Sequence, residues 1–390
     1  MDVHAPFTNK TLKRRFPPWY SKNLRIEIEA NKKLYYQAKK FNNSNKLSKF
    51  KLAKTKIRNK IRKGKVEYIS NKLTSQFRAN RREFWSTLNQ YCGTKVNLPS
   101  AKNFFTSETL VDFYAKIAST CNSVSIYHLN SILYNYPNLT NEFNFTNIDV
   151  VDVNLQLTHA VDSLCPLGPD DLPLRYIAHS VNILSPYLTK FFNNIISTCI
   201  YPEKWKVAYI TALLKVKIPD SPSDTRPIAI TSQLAKIFDK FIAKQISKYI
   251  ESPNFISIYQ SAYRPGFSTE TALLYLTDSI RFELDKNNVV ILVQFDISKA
   301  FDSLDHETLL NRTKEIGFSN NACKLIWSYI SGPEIRVKGE NGSFSESRKI
   351  TTGVLQGSPL ATWLFLIYTY PLSQIIKNCK MGFFADDTYI

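Results

Sequence analysis

Nothing in this sequence reads as a membrane span or an export signal. No apolar run approaches the roughly 18 residues that a span requires, and the longest candidate, 361–370, falls well short. Met1 is followed by Asp, His and Pro and then a Lys/Arg cluster, where an export signal would carry an apolar segment. The expected location is therefore cytoplasmic and nuclear. Cysteine is sparse and dispersed: Cys92, Cys121, Cys165, Cys199, Cys323 and Cys379 form no CxxC pair, and no histidine lies near enough to complete a zinc site. Reduced, mostly buried thiols are expected. Acid is nearly missing from residues 1–100, which hold 5 Asp+Glu against 25 Lys+Arg. Proline is absent between Trp19 and Gln90, where Gly64 is the single glycine. What is present excludes disorder, since 390 residues at 44% hydrophobic and 13% aromatic can bury one large core or two modest ones.

The net charge of +19 sits almost wholly in the first quarter, because residues 101–390 carry 26 basic against 27 acidic side chains. Such a block suits a polyanion, whose condensed counterions Lys and Arg displace, giving tight, salt-sensitive, sequence-independent binding. Tyr35, Tyr36, Tyr68, Phe84 and Trp85 are interleaved with the cations and could stack on bases or pack on one another. A solvated helix face is the plainer alternative. The region reads as long helices, with Phe50, Ile57, Ile61, Tyr68 and Leu73 at helical spacing in one narrow stripe and a break near Asn42-Asn43-Ser44-Asn45. Three segments follow: a basic helical nucleic-acid-binding region over 1–95, a connector over 96–147 with a turn at Tyr136-Pro137-Asn138, and an α+β catalytic domain over 148–390.

Three short blocks carry the chemistry. Val289 to Phe295 is a continuous apolar run ending on Asp296, which predicts a buried strand that delivers a carboxylate to its end and then turns directly into a helix. Taken alone, Asp296 could equally be that helix's N-cap. In Phe383-Phe384-Ala385-Asp386-Asp387-Thr388-Tyr389-Ile390, two adjacent acids sit between apolar residues. Burying them is tolerable only in a tight turn or around a cation, so a hairpin tip setting at least one of them beside Asp296 is expected. Three converging carboxylates would make an oxygen-rich site for hard Mg²⁺. Between these blocks, Gly353-Val354-Leu355-Gln356-Gly357-Ser358-Pro359-Leu360 forms a Gly-framed loop opening onto an apolar helix over 361–370. There Gln356 offers an amide to a base or sugar, and Pro359 suits a helix start.

In order and wording these blocks resemble palm motifs A, B and C of the reverse transcriptases of non-LTR (LINE-type, Jockey-like) retrotransposons. The resemblance continues upstream through Ala212-Leu213-Leu214-Lys215, Arg226-Pro227-Ile228 and Gln260-Ser261-Ala262-Tyr263-Arg264-Pro265-Gly266, which match finger motifs. It implies right-hand fingers and palm, an RNA template, a DNA primer and dNTP substrates. Two-metal transfer would use Asp296, Asp386 and Asp387 as catalytic ligands of two Mg²⁺ ions. Phe301 matches the steric gate that excludes ribose. Gln356 and Gly357 match the nucleotide-pocket loop, while Lys215 (or Lys217 in its place) and Arg226 match residues that grip the triphosphate.

Two departures stand out: FADD replaces the commoner YADD, and Ala361-Thr362-Trp363 replaces a small, proline-containing continuation. The resemblance also implies a partial chain, truncated before the thumb and lacking the endonuclease of the parent polyprotein. It is expected to extend primers poorly until lengthened. A nucleic-acid-binding remnant without turnover is the alternative.

Overall fold

The computed structural model describes residues 17, 19–41, 44–79, 83–85, 87–88, 100–119, 123–136, 142–161, 166–251, 255–339, 342–375 and 378–390. The chain divides into two units, 1–97 and 98–390. Cys92, Cys121 and Cys165, as well as Asn42, Asn43, Pro137 and Asn138, lie outside the described residues.

In the first unit, helix α1 (Lys22–Lys40) and helix α2 (Ser44–Ala79) form a hairpin. Ser21 starts α1 by accepting the Leu24 amide at 3.2 Å, satisfying one of the donors that a helix start leaves free. The two helices meet through aromatic rings, Tyr35 on Phe50 at 5.0 Å, with Trp19 on Tyr68 at 6.1 Å alongside. Gly64 leaves space for the Trp19 carbonyl, which would stand 3.2 Å from an added Cβ. Phe50, Ile57, Ile61, Tyr68 and Leu73 are all partly buried, as their spacing predicts. The remaining surface is cationic: across α1 and α2 the sequence holds 18 Lys+Arg and 3 Glu.

The second unit is α+β. Its first sheet has the order β2-β1-β4-β5. Strand β1 (Val207–Leu214) runs antiparallel to β2 (Thr225–Ile230) and parallel to β4 (Glu334–Val337), which pairs with β5 (Arg348–Lys349). The β1 burial pattern alternates in its first half, so Ala208 and Ile210 face inward. Helix α3 (Ser107–Ile117) covers that face with Leu110, Val111 and Tyr114, against Ala208, Ile210, Ala229, Ile335, Val337 and Ile350. Helix α4 (Ile126–Asn135) buries Leu129, Ile132 and Leu133 in the larger helical core. The stretch 96–147, expected as a connector, thus supplies two amphipathic helices to the core of this unit.

That larger core packs α5 (Val150–Val161), α6 (Val181–Thr198), α7 (Gln233–Ile250), α9 (His306–Glu315), α10 (Asn320–Ile330) and α11 (Pro359–Thr369) around Phe192, Phe238, Phe318 and Phe365. Each such ring stabilises the fold by roughly 1.5–3 kcal/mol through apolar burial. The second sheet, made of β3 (Gln294–Phe295), β6 (Gly382–Phe384) and β7 (Asp387–Tyr389) in the order β3-β7-β6, lies beside helix α8 (Thr269–Asp285). Of the thiols, Cys323 is buried, Cys199 half-buried and Cys379 exposed. No helix among the described residues is long and apolar enough to cross a membrane.

Two expectations need correction. The apolar run before Asp296 is not a buried strand: only Gln294–Phe295 form β3, and Val289 and Ile291 are 91% and 79% exposed. β3 is a sheet edge with one neighbour, and an open cavity of about 660 Å³ separates 288–293 from α8. Nor does a helix follow Asp296 directly. Lys299 takes a left-handed φ of 56°, the chain turns through 298–303, and helix α9 starts only at His306 under an Asp305 cap.

Candidate active site

The acidic pair lies on a two-residue hairpin. Strand β6 (Gly382–Phe384) pairs with β7 (Asp387–Tyr389) so that Phe384 faces Asp387, leaving Ala385 and Asp386 as the turn. Gly382 lies beneath the Tyr389 ring, whose tip would have to shift to admit a Cβ there. Ala385 adopts φ 59°, a left-handed value unusual for alanine, while Asp386 does not. Positive φ at the first turn position only is the type II′ pattern, whose twist suits antiparallel strands. The strain is held from outside: Gln260 Oε1 accepts the Ala385 amide at 3.3 Å, and backbone bonds join Phe383 to Tyr259 and Ser261 at 2.9 Å each.

β3 supplies the third acid. Gln294 faces Tyr389 and Phe295 faces Thr388. Carried one residue further, this register sets Asp296 across from Asp387, at a separation where Cβ atoms stand about 4.5–5.5 Å apart. Asp296 and Asp387 are exposed and Asp386 is half-buried. Among the described residues no three acidic, imidazole or thiol groups are gathered tightly enough to hold a metal ion. The expected convergence of three carboxylates is therefore reduced to a row along adjacent strand ends. The donor set nevertheless fits a hard divalent cation, since every candidate atom is a carboxylate oxygen accessible to solvent.

Tyr263 overlooks this row. It also has a left-handed φ of 63°, and its phenol is raised from its usual range by burial and then by the Asp386 charge. Its ring edge meets Phe301 at 6.5 Å. Phe301, expected as a steric gate, is itself only 9% exposed and stacks on Phe365 of α11 at 4.9 Å.

The Gly-framed loop is stapled to the turn after Asp296. Gly353 N donates to Leu304 O at 2.7 Å, Val354 N to Phe301 O at 2.9 Å, and His306 Nε2 lies 2.8 Å from Gly353 O. Gly353, at φ 80°, passes so near Asp302 that an added Cβ would stand 2.6 Å from its carbonyl oxygen. Gln356 O accepts the Ala229 amide at 2.7 Å, docking the loop on β2, and Ser358 caps α11 with Pro359 in its first turn.

Lys215 and Arg226 occupy one face of the β1–β2 hairpin, because Arg226 pairs with Leu213 and Lys215 lies two residues beyond it. Lys215 Nζ donates to Ser223 O at 3.1 Å. Asp302 lies within range of the Lys215 charge: burial raises its carboxyl to about 6, opposed by the charges of Lys299 and Lys215. Sequence reasoning passed over Asp302 as a charged group of the site. Its signal was a second acid six residues after Asp296.

Residues 216–390 match the family model described as reverse transcriptase (RNA-dependent DNA polymerase). The chain is 28% identical over 219 residues to the probable RNA-directed DNA polymerase from transposon BS of Drosophila melanogaster, covering 56% of this chain and 23% of that protein. The corresponding protein from transposon X-element of the same species is 26% identical over 209 residues, 52% of this chain and 23% of its own length. The RNA-directed DNA polymerase from mobile element jockey is 23% identical over 231 residues, 57% and 25% respectively. The chain thus spans about a quarter of the length of these relatives. The family match begins just after Lys215 and runs through the Asp386 hairpin, so residues 216–390 are similar to reverse transcriptase domains, and the relatives named are polymerases of mobile elements.

Proposed function

We propose that this domain is the fingers and palm of an RNA-directed DNA polymerase that adds dNTPs to a primer 3′-hydroxyl on an RNA template. The observation that carries the reading is the β3–β7 register, which sets Asp296 across from Asp387 with Asp386 next along the turn. Asp296, Asp386 and Asp387 would hold two Mg²⁺ ions, which when bound make the 3′-hydroxyl more acidic and neutralise the triphosphate. Lys215 and Arg226 grip the triphosphate from one hairpin face, Arg226 by its fork. Gln356 presents its amide while its carbonyl is fixed on β2. The test is primer extension on RNA and DNA templates, with dNTPs and with rNTPs. Incorporation confined to rNTPs overturns the substrate assignment.

Phe301 reads as the sugar filter, with its ring edge beside Tyr263 and its face on Phe365. Phe301→Val is expected to raise rNTP use relative to dNTP use by about tenfold or more, since removing a clash in a pocket is worth one to two decades of discrimination. It also costs about 1–3 kcal/mol of packing. An unchanged nucleotide ratio in a protein that melts earlier would assign the ring to the core alone.

Binding without turnover is a second reading, favoured by the first unit, where 18 cations on α1 and α2 face 3 glutamates. Lys49, Lys56 and Lys63 are exposed and recur every seventh residue along α2. Replacing all three with glutamine is expected to flatten the slope of log affinity against log salt by about 2–3 for duplex nucleic acid, at roughly 0.9 per lost phosphate contact. A slope unmoved by the triple substitution would place the binding surface elsewhere.

A further inference from the structure

One buried carboxylate takes no part in the site described above. Asp239 lies on α7 and is 1% exposed. Its two oxygens accept two hydroxyls: Tyr201 Oη at 3.0 Å and Ser358 Oγ at 2.8 Å. Ser358 is at the same time the N-cap of α11, accepting the Leu360 amide at 3.2 Å, and it directly follows Gln356-Gly357. We infer that Asp239 is a positioning residue for the nucleotide-facing loop Gln356–Gly357, acting through the Ser358 hydroxyl. The inference rests on the polymerase reading for its consequence, though not for its geometry.

The loop has three anchors. Its start is bonded to Phe301 and Leu304, its middle carbonyl to Ala229 of β2, and its end to Asp239. Gly357, at φ 127°, lies so close to Ala229 O that a Cβ would stand 2.7 Å away, so the middle anchor tolerates little displacement. β2 runs through Thr231 into α7 under a Ser232 cap. Strand β2 and helix α7 therefore hold Gln356 from two sides as one element. β2 thus touches the loop directly at the Ala229–Gln356 bond, and the helix that follows it touches the loop again at the Asp239–Ser358 bond.

A carboxylate suits this position in a way its neighbours on the sequence scale do not. It accepts on both oxygens, so each hydroxyl can donate to it and Ser358 keeps its lone pairs for the Leu360 amide. Asparagine at the same volume offers one oxygen and one amide donor, which forces a hydroxyl to reverse and competes with the cap. Burial raises the Asp239 carboxyl to about 7, opposed by the hydrogen bonds from Ser358 and Tyr201 and by the Lys236 charge. A buried acid is a costly way to fill a core, and leucine would avoid that desolvation.

The experiment uses the full chain with Asp239→Asn, Ser358→Ala, the double variant, and Tyr201→Phe. Tyr201→Phe cuts the opposite side of the network and leaves the Ser358 bond intact. Steady-state primer extension reads KM for dNTP and kcat, and amide hydrogen exchange reads the loop directly. Asp239→Asn and Ser358→Ala are each expected to raise KM about tenfold, the worth of one buried hydrogen bond, with kcat within about twofold. Both should speed exchange at Gln356 and Gly357, and the double variant should be no worse than Ser358→Ala. Tyr201→Phe should lower the melting temperature and leave KM in place.

Unchanged loop exchange in Ser358→Ala overturns the inference, even if Asp239→Asn fails to fold. An additive double variant overturns it too, as does a KM rise in Tyr201→Phe equal to that in Asp239→Asn. An Asp296→Asn arm separates the two readings. If that variant extends primers as fast as the parent, the polymerase assignment fails, while loop exchange still decides the role of Asp239.

Discussion

Asp386→Asn should leave a chain that melts like its parent and yet extends a primer about a thousandfold more slowly, because a bound divalent ion supplies several kcal/mol of charge stabilisation in the transition state. Asparagine matches aspartate in volume and tolerates the turn position, so the hairpin set by Ala385 and Gln260 survives. Asp386 is half-buried and pairs with no Lys, Arg or His among the described residues, so stability should move by less than about 0.5 kcal/mol. Two measurements check the expectation. Extension kinetics give the rate, and binding of Mn²⁺, followed by its paramagnetic resonance, gives occupancy without turnover. Asp296→Asn and Asp387→Asn should weaken Mn²⁺ binding as well. A parent-like rate, or Mn²⁺ affinity equal in parent and variants, removes these carboxylates from the metal assignment.

Gly353→Ala should be strongly disruptive, costing about 2–5 kcal/mol. Left-handed φ costs alanine about 1–2 kcal/mol, and forcing a methyl against backbone adds about 1–3. The obstacle is the Asp302 carbonyl at 2.6 Å, backbone that cannot swing aside, and the same loop segment is bonded to Leu304, Phe301 and His306. Gly266→Ala is the matched control: its φ is 81°, and nothing lies within 4 Å of the added methyl, so only the conformational cost remains. Urea midpoints of the two variants isolate the steric part. Equal midpoints would mean that the loop from Gly353 can back away from Asp302 freely, and the staple between the two blocks would lose its meaning.

The contrast marks what a sequence can carry. The hairpin around Asp386, the Pro359 helix start and the stripe on α2 were legible, because each is set by residues within a few positions of one another. The Asp239 bond to Ser358 was not, since it joins positions 119 apart. A signal existed in the phase of α7: Ala235, Asp239, Ala243 and Ile246 fall on its buried face, so an acid stands where the period calls for an apolar side chain. The run Val289–Val293 misled for the opposite reason. Continuous apolar sequence predicts a strand covered on both faces, and covering depends on what packs alongside, which no local pattern states. The stretch 96–147 was under-read although it is as rich in apolar residues as the rest of the chain, because its two helices are short and what they pack against lies far away in sequence. Leu110, Val111 and Tyr114 suffice to cover a narrow sheet. The left-handed Lys299 that delays α9 has no marker at all, since lysine is an ordinary helix residue.

The parallel pairing of β1 with β4 bears on how the domain comes into being during synthesis. β1 finds β2 within a hairpin, but its other edge stays bare until Glu334–Val337 has left the ribosome. At roughly 5–20 residues per second that interval lasts on the order of ten seconds, long compared with the microseconds in which a hairpin forms. For that time Val207–Leu214 offers open backbone donors and acceptors to any passing strand. The nascent chain is then most exposed to mispairing, and a chaperone able to shield one strand edge would raise its folding yield.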